Sequence, residues 1–429
     1  MTTTGPVSRP GQSATAGGSR SGSPGRRGDT VVRPTGTHWG TYLVEGDGER
    51  VVAVDDHPSD PDPSPIGQAL LAATDCRVAA PAVRRSWLDG GPGTAGDRRG
   101  AEPFVEVGWE RALDLVAGEL DRVKRDHGNP SIYGGSYGWG SSGRFHQPSN
   151  QIYRFLRLFG GYTDARGTYS ASAAETIVPH VLGLGYQAAV AQQTSWSVIA
   201  ANTELFVSFG GLRVSNAQVT FGGSGPHHTR PWLERCASTE FVSIAPLADD
   251  DATEIGARWL PIRPGTDTAM LAALLHTLVV EGRADEAFLD RHCHGWDRLR
   301  AYLLGQGQTA DPGGPTDAAW AAEICGIDAD VIVELARTMS ARRTMISVSL
   351  SIQRGDHGEQ PYWMAIALAA ALGGIGRPGE GIALGFGANG NAGAGQRRKR
   401  IPGATHPTPG ARHAGDLGLP GDRAAREPG

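Results

Sequence analysis

The chain has 429 residues but only four cysteines, Cys76, Cys236, Cys293 and Cys325, and no C-x-x-C pair among them. That excludes a zinc ribbon or an iron–sulfur cluster, both of which need clustered thiolates. Reduced thiols in a cytosolic protein are the expected state. No apolar run approaches the ~20 residues of a membrane span, so no membrane insertion is expected. Arg26-Arg27 hints at a twin-arginine export signal, yet Gly28-Asp29-Thr30 and then Arg33-Pro34 follow where an apolar stretch is needed. The reading is a cytoplasmic protein. Neither sign of charge dominates: 40 Lys and Arg against 45 Asp and Glu leave a net charge of −5, which offers no footprint for nucleic acid. A simple dinucleotide dehydrogenase is excluded too, because no G-x-G-x-x-G sits between a strand and a helix.

Glycine is what the chain has in excess, 62 residues against a usual share of about 7%. This suits loops whose backbone approaches a ligand, and equally the coding bias of a GC-rich genome. One such loop, Gly134-Gly135-Ser136-Tyr137-Gly138, matches the G-x-S-x-G of a hydrolase nucleophile elbow. An elbow needs a helix directly after the serine. Here Gly138-Trp139-Gly140-Ser141-Ser142-Gly143 follows, a poor helix start, so Ser136 is read as a scaffold residue. His292-Cys293-His294 is not read as a metal motif, because residues i and i+2 of a helix point apart.

The chain divides into five stretches. Residues 1–36, rich in Gly, Ser, Pro and Arg, are expected to be a disordered leader. Residues 37–105 form a small β-rich region, with a hairpin about Gly46-Asp47-Gly48 and an extended connector over 58–65. Residues 106–202 carry the glycine-rich loop between helices. The first, Trp109 to His127, sets Leu113, Val116, Leu120 and Val123 on one stripe. A second is marked by Ile152, Phe155, Leu156 and Phe159. A third starts at Ser172, where Ser172 and Glu175 read as a capping box. Residues 203–387 read as α/β: "ELFVSFGG", "EFVSIAPL" and "TMISVSLS" suit buried parallel strands, with "DTAMLAALLHTLVVEG" and "DADVIVELARTM" as helices between. Residues 388–429 lose all apolar periodicity and are expected to be a disordered tail.

Four segments in order, "SIYGGSYGWGSSGRFH", "GTYSASAAETIVPHVLG", "RPGTDTAMLAALLHTL" and "QRGDHGEQPYWMAIALAAALGGIGRPGEG", resemble the dimethyl sulfoxide reductase family of molybdopterin oxidoreductases. The likeness is greatest to its biotin sulfoxide and trimethylamine N-oxide reductase branch. It implies a multi-domain α/β fold in which a parallel sheet binds cofactor. It further implies molybdenum held by bis(molybdopterin guanine dinucleotide), oxygen-atom transfer from a small S-oxide or N-oxide, and a separate electron-donor protein. By the same likeness Ser170 matches the serine that ligates the metal, and Tyr137 and Trp139 the active-site aromatics. Read without it, Ser170 is a turn residue and the Tyr-Gly-Trp triplet packs against a core. The dinucleotide contacts implied are Gly210, Gly211 and Asn216 after the first strand, Ile244, Pro246 and Asp249 after the second, and Pro264, Gly265 and Asp267 in "RPGTD". Gln353, Arg354, His357 and Gln360 match "QRGDHGEQ". Trp139 is also counted among the cofactor contacts. Asp267 has a competing reading as a helix N-cap. Two departures stand out: Ala248 occupies a position where the family usually has Arg, and the family's chains are nearly twice as long, ending in a C-terminal β-barrel. A truncated, non-catalytic remnant and one half of a split enzyme are therefore the alternatives to an active reductase.

Overall fold

The computed structural model describes residues 31–48, 50–72, 76–94, 96–135, 148–165, 167–219, 225–248, 256–306, 313–390 and 393. Its first unit is an antiparallel sheet, β1 (Val31–Thr37), β2 (Gly40–Gly46) and β3 (Val51–Asp56), with β2 in the middle. The hairpin between β2 and β3 is the one expected. Strand β1, however, begins inside the stretch expected to be a disordered leader. Its polar sequence VVRPTGT hides the strand, and Pro34 is tolerated because β1 lies at the sheet edge. The connector over 58–65 is anchored: Asp60 accepts from the His227 backbone N–H and ring at 2.9 and 2.7 Å, and Asp62 pairs with Arg230 at 2.9 Å.

A second region holds the short strands β4 (Ala82–Arg84) and β5 (Phe104–Glu106) and the helices α1 (Trp109–His127) and α2 (Pro148–Leu158). Its core is three buried side chains, Ile132, Leu156 and Tyr162. The expected stripe of α1 is only half covered. Leu120 and Val123 pack on that cluster, whereas Trp109, Leu113 and Val116 are 70%, 62% and 58% exposed.

The third region is a parallel sheet in the order β10-β9-β6-β7-β8, made of β6 (Leu205–Phe209), β7 (Glu240–Ala245), β8 (Arg258–Pro261), β9 (Thr344–Val348) and β10 (Gly381–Leu384). β6 and β9 are buried at every position, as strands covered on both faces must be. Helix α3 (Ser172–Leu182) packs on this body together with α4 (Asp267–Val280), α5 (Ala318–Cys325), α6 (Ala329–Ala341) and α7 (Glu359–Ala371). Helix α4 is apolar nearly all round because most of its faces are covered. Packed chain continues past the expected start of the tail at 388: Gly390 donates to the Val219 carbonyl at 2.9 Å, and the Gly393 carbonyl accepts from Trp196 at 3.0 Å.

Strand β6 sits at the centre. The chain leaves it on one side toward β7 and β8 and returns on the other as β9 and β10. The switch point therefore lies beyond the C-terminal ends of β6 and β9, the place where open α/β sheets bind ligands.

Candidate cofactor site at the sheet switch point

The end of β6 runs into Gly210 and Gly211, both at positive φ, 84° and 81°. At Gly210 a Cβ would stand 2.4 Å from the Ser349 hydroxyl and 2.7 Å from the Ile352 side chain, so only glycine fits. The Ser349 hydroxyl donates to the Gly210 carbonyl at 3.0 Å, and the Ser349 N–H to the Phe209 carbonyl at 2.9 Å. The ends of β6 and β9 are thereby joined into one floor. Under it lies Tyr362, wholly buried, its hydroxyl on the Ser349 carbonyl at 3.2 Å. Burial lifts the Tyr362 phenol well above its ordinary value and that of neighbouring Tyr186 to about 12. Both stay neutral, and Tyr362 acts as a hydrogen-bond donor rather than a base. Sequence reasoning missed Ser349 and Tyr362; the signal was the polar residues ending the apolar run "TMISVSLS" and the tyrosine in "GEQPYW".

The turn carrying Ser170 meets this floor through Gln353. The side-chain amide of Gln353, 3% exposed, donates to the Ser170 carbonyl at 2.6 Å and the Leu350 carbonyl at 3.2 Å. Its oxygen accepts from the Ala173 and Ala174 N–H groups at 3.0 and 3.4 Å. Gln353 is one of the expected cofactor contacts, and its amide is engaged with protein on both ends. The expected capping box does not form either. Helix α3 does begin at Ser172, but its N-cap is Ala171, the Ser172 hydroxyl turns back onto Thr168, and Glu175 accepts from Gln187. Ser170 is half-buried, while its neighbour Tyr169 is fully exposed.

The glycine loop leaves from the same neighbourhood of chain that leads to Ser170. Gly134 donates to the Thr163 carbonyl at 3.0 Å, and Thr163 donates to Ile132 at 2.8 Å. A Cβ on Gly134 would fall 2.1 Å from Leu156, which explains that glycine. Tyr137 and Trp139 lie outside the described residues, as do Ser136 and Asp249.

The other expected residues collect beyond the strand ends. Asn216, exposed, donates to the Gly387 carbonyl at 3.2 Å and so ties the segment after β6 to the one after β10. Pro246 is exposed just past β7; Pro264 and Gly265 form an exposed turn past β8. Arg354 and His357 are exposed past β9, His357 at positive φ, and Gln360 reaches Glu359 at 3.4 Å. Ile244 departs from expectation: as the penultimate residue of β7 its side chain is wholly buried in the core, and its carbonyl accepts from the Gly210 N–H at 2.9 Å.

Asp267 is the one acid among them that is buried, 5% exposed. Burial pushes its carboxyl from 3.8 to about 6, offset in part by its own backbone N–H. It is not the N-cap of α4. Thr266 holds that position, its hydroxyl donating to the Arg263 carbonyl at 2.7 Å. A carboxyl in this setting gains from a ligand that brings N–H donors to it.

Comparison with known proteins identifies the family. The pattern of the family described as molybdopterin oxidoreductase matches residues 77–425, and that of the molybdopterin oxidoreductase N-terminal domain matches residues 35–75. Biotin sulfoxide reductase of Cereibacter sphaeroides is 42% identical over 339 residues, 78% of this chain and 45% of that protein. The dimethyl sulfoxide/trimethylamine N-oxide reductase of Rhodobacter capsulatus is 36% identical over 84% of this chain and 44% of its own length. Trimethylamine-N-oxide reductase of Haemophilus influenzae is 34% identical, over 83% and 43%. Among solved structures, acetylene hydratase from Pelobacter acetylenicus superposes with a TM-score of 0.49 at 18% identity, covering 82% of this chain and 43% of that one. The chain thus spans less than half the length of the curated relatives it matches. With both family patterns covering nearly all of it, the chain belongs to the molybdopterin oxidoreductases.

Proposed function

We propose that this chain binds molybdopterin guanine dinucleotide at the switch point of its parallel sheet, with Ser170 as the protein's oxygen donor to molybdenum, in the reduction of a small S-oxide or N-oxide. The observation that carries the reading is the Gln353 bridge, which brings the Ser170 turn to the floor made by Gly210 and Ser349. Relatives named as reductases of biotin sulfoxide, dimethyl sulfoxide and trimethylamine N-oxide support the substrate class.

The residues fit such a group. Gly210 and Gly211 end β6 without side chains beside the switch point, where an open α/β sheet takes its ligand. Asp267 offers a carboxylate to the N–H donors of a guanine edge. Among the described residues no three His, Cys, Asp or Glu side chains converge to hold an ion, so molybdenum would come with its cofactor's own ligands and take one oxygen from Ser170. When bound, the cofactor supplies a Lewis acid and a two-electron couple. The chain's part is to hold and orient. Tyr137 and Trp139, which match the family's active-site aromatics, would each donate a hydrogen bond to the substrate oxygen as charge builds on it. Electrons would come from a separate donor protein.

The bare stripe of α1 favours a second reading, in which this chain is one half of a two-piece enzyme. Trp109, Leu113 and Val116 continue a stripe whose other end is packed, and a stripe of that kind is completed by further chain. Expression in a host that makes the cofactor separates the readings. The first predicts about one molybdenum and two guanine nucleotides bound per chain. Uptake only on co-expression with the second half of the Cereibacter sphaeroides biotin sulfoxide reductase would establish the second. No uptake in either case would leave a non-catalytic remnant.

A further inference from the structure

We infer that Gln353 is a positioning residue for Ser170: it caps helix α3 from across the fold and, with the other end of the same amide, fixes the peptide that carries the serine. The inference rests on the reading of Ser170 as the donor to molybdenum.

A helix leaves its first N–H groups without intrahelical partners, and a side-chain oxygen at the N-cap ordinarily accepts from the second or third of them. The N-cap of α3 is Ala171, which has no such oxygen. The sequence offers Ser172 nearby, but its hydroxyl is committed to Thr168. The vacant role is filled by a residue 180 positions away: Gln353 Oε1 accepts from Ala173 at 3.0 Å and Ala174 at 3.4 Å. The Nε2 of that amide donates to the Ser170 carbonyl at 2.6 Å. Gln353 is itself seated, since the turn Ser351–Gln353 follows β9 after two intervening residues and the Arg354 N–H closes it on Ser351 at 3.1 Å. The Ser170 turn therefore takes its position from the central sheet.

Two consequences follow. The second and third N–H groups of α3 are satisfied by a neutral amide, so they are not free to donate to a ligand oxygen. And the two ends of the amide have different duties. A cap alone needs only the acceptor. Holding Ser170 needs the donor as well, which only an amide supplies at this size. Glutamate keeps the acceptor and removes the donor; methionine removes both.

The test compares Gln353→Met, Gln353→Glu and Ser170→Ala with the wild-type full chain. Hydrogen exchange on the purified chain is expected to show Ala173 and Ala174 exchanging about tenfold or more faster in Gln353→Met, with protection recovered in Gln353→Glu and β6 unchanged in both. In chain loaded with molybdenum in the host, the metal's X-ray absorption spectrum is expected to depart from wild type in both Gln353 variants, as it does in Ser170→Ala. Wild-type protection of Ala173 and Ala174 in Gln353→Met overturns the inference, whether or not the chain loads metal. So does a wild-type metal spectrum in both Gln353 variants when Ser170→Ala alters it. A wild-type spectrum in Ser170→Ala instead removes the reading of Ser170 on which the inference stands, a separately visible failure.

Discussion

The parallel-sheet body and the α1–α2 region are built from the same kinds of residue and reach opposite ends of packing. In the body, β6, β9 and α4 bury nearly every side chain, and Leu271, Leu274 and Leu275 are wholly enclosed. In the other, a nineteen-residue helix buries none of its residues, and the local core is Ile132, Leu156 and Tyr162. The body's core is packed by its own helices. The α1–α2 region has an amphipathic pattern with only half its complement. The chain spans under half the length of its relatives, and the difference marks the bare end of the α1 stripe as the surface that the two-piece reading proposed above would cover. It also shows that the Ser170 turn belongs to the well-packed side, through Gln353, while the glycine loop departs from the thinly packed one.

The largest expected contrast is in local opening. Amide hydrogen exchange should find α1 exchanging on the order of a thousandfold faster than β6, since few buried contacts resist its opening. Equal protection would erase the distinction between the regions. Next come cavities. Leu274→Ala should cost about 2–5 kcal/mol in urea unfolding, and Leu113→Ala, at an exposed site, within about 0.5 kcal/mol. A large loss at Leu113 would mean the stripe is already covered in this chain.

Asp267 sharpens the comparison through pH. Its folded value of about 6 lies above the unfolded 3.8, so the folded state holds the proton more tightly. That contribution is complete below pH 3.8 and is lost as pH rises through 6. Asp267→Asn should therefore flatten the fall in stability between pH 4 and 7 and raise stability at pH 8 by up to about 3 kcal/mol. An unchanged pH profile of unfolding would show that the carboxyl is not desolvated. The smallest effect is at the bare stripe itself: Leu113→Lys, at an exposed site, should leave the urea unfolding midpoint in place, and a clear downward shift would mean that the side chain is packed.

Much of the body was legible in the sequence, because strands buried on both faces read as continuous apolar runs. That is how β6, β7 and β9 and helices α4 and α6 were found. β8 and β10 were not, since RWLP and GIAL are too short and too mixed to carry a period. β1 was lost behind its proline and polar residues. At the site, strand-end loops were legible as places, but the duty of each residue was not. Ile244 looked like a loop contact while still inside the core. The cap of α3 looked local, from Ser172 and Glu175, because local spacing carries no sign of a partner 180 residues away. Tertiary contact overrode the nearby rule.

The most direct test of the central claim replaces one atom. In Ser170→Cys the oxygen at that position becomes sulfur, and X-ray absorption at the molybdenum edge of the loaded protein should show one oxygen neighbour lost and one sulfur gained. A spectrum identical to that of the wild-type protein would contradict the claim that the side chain of residue 170 is bonded to the metal.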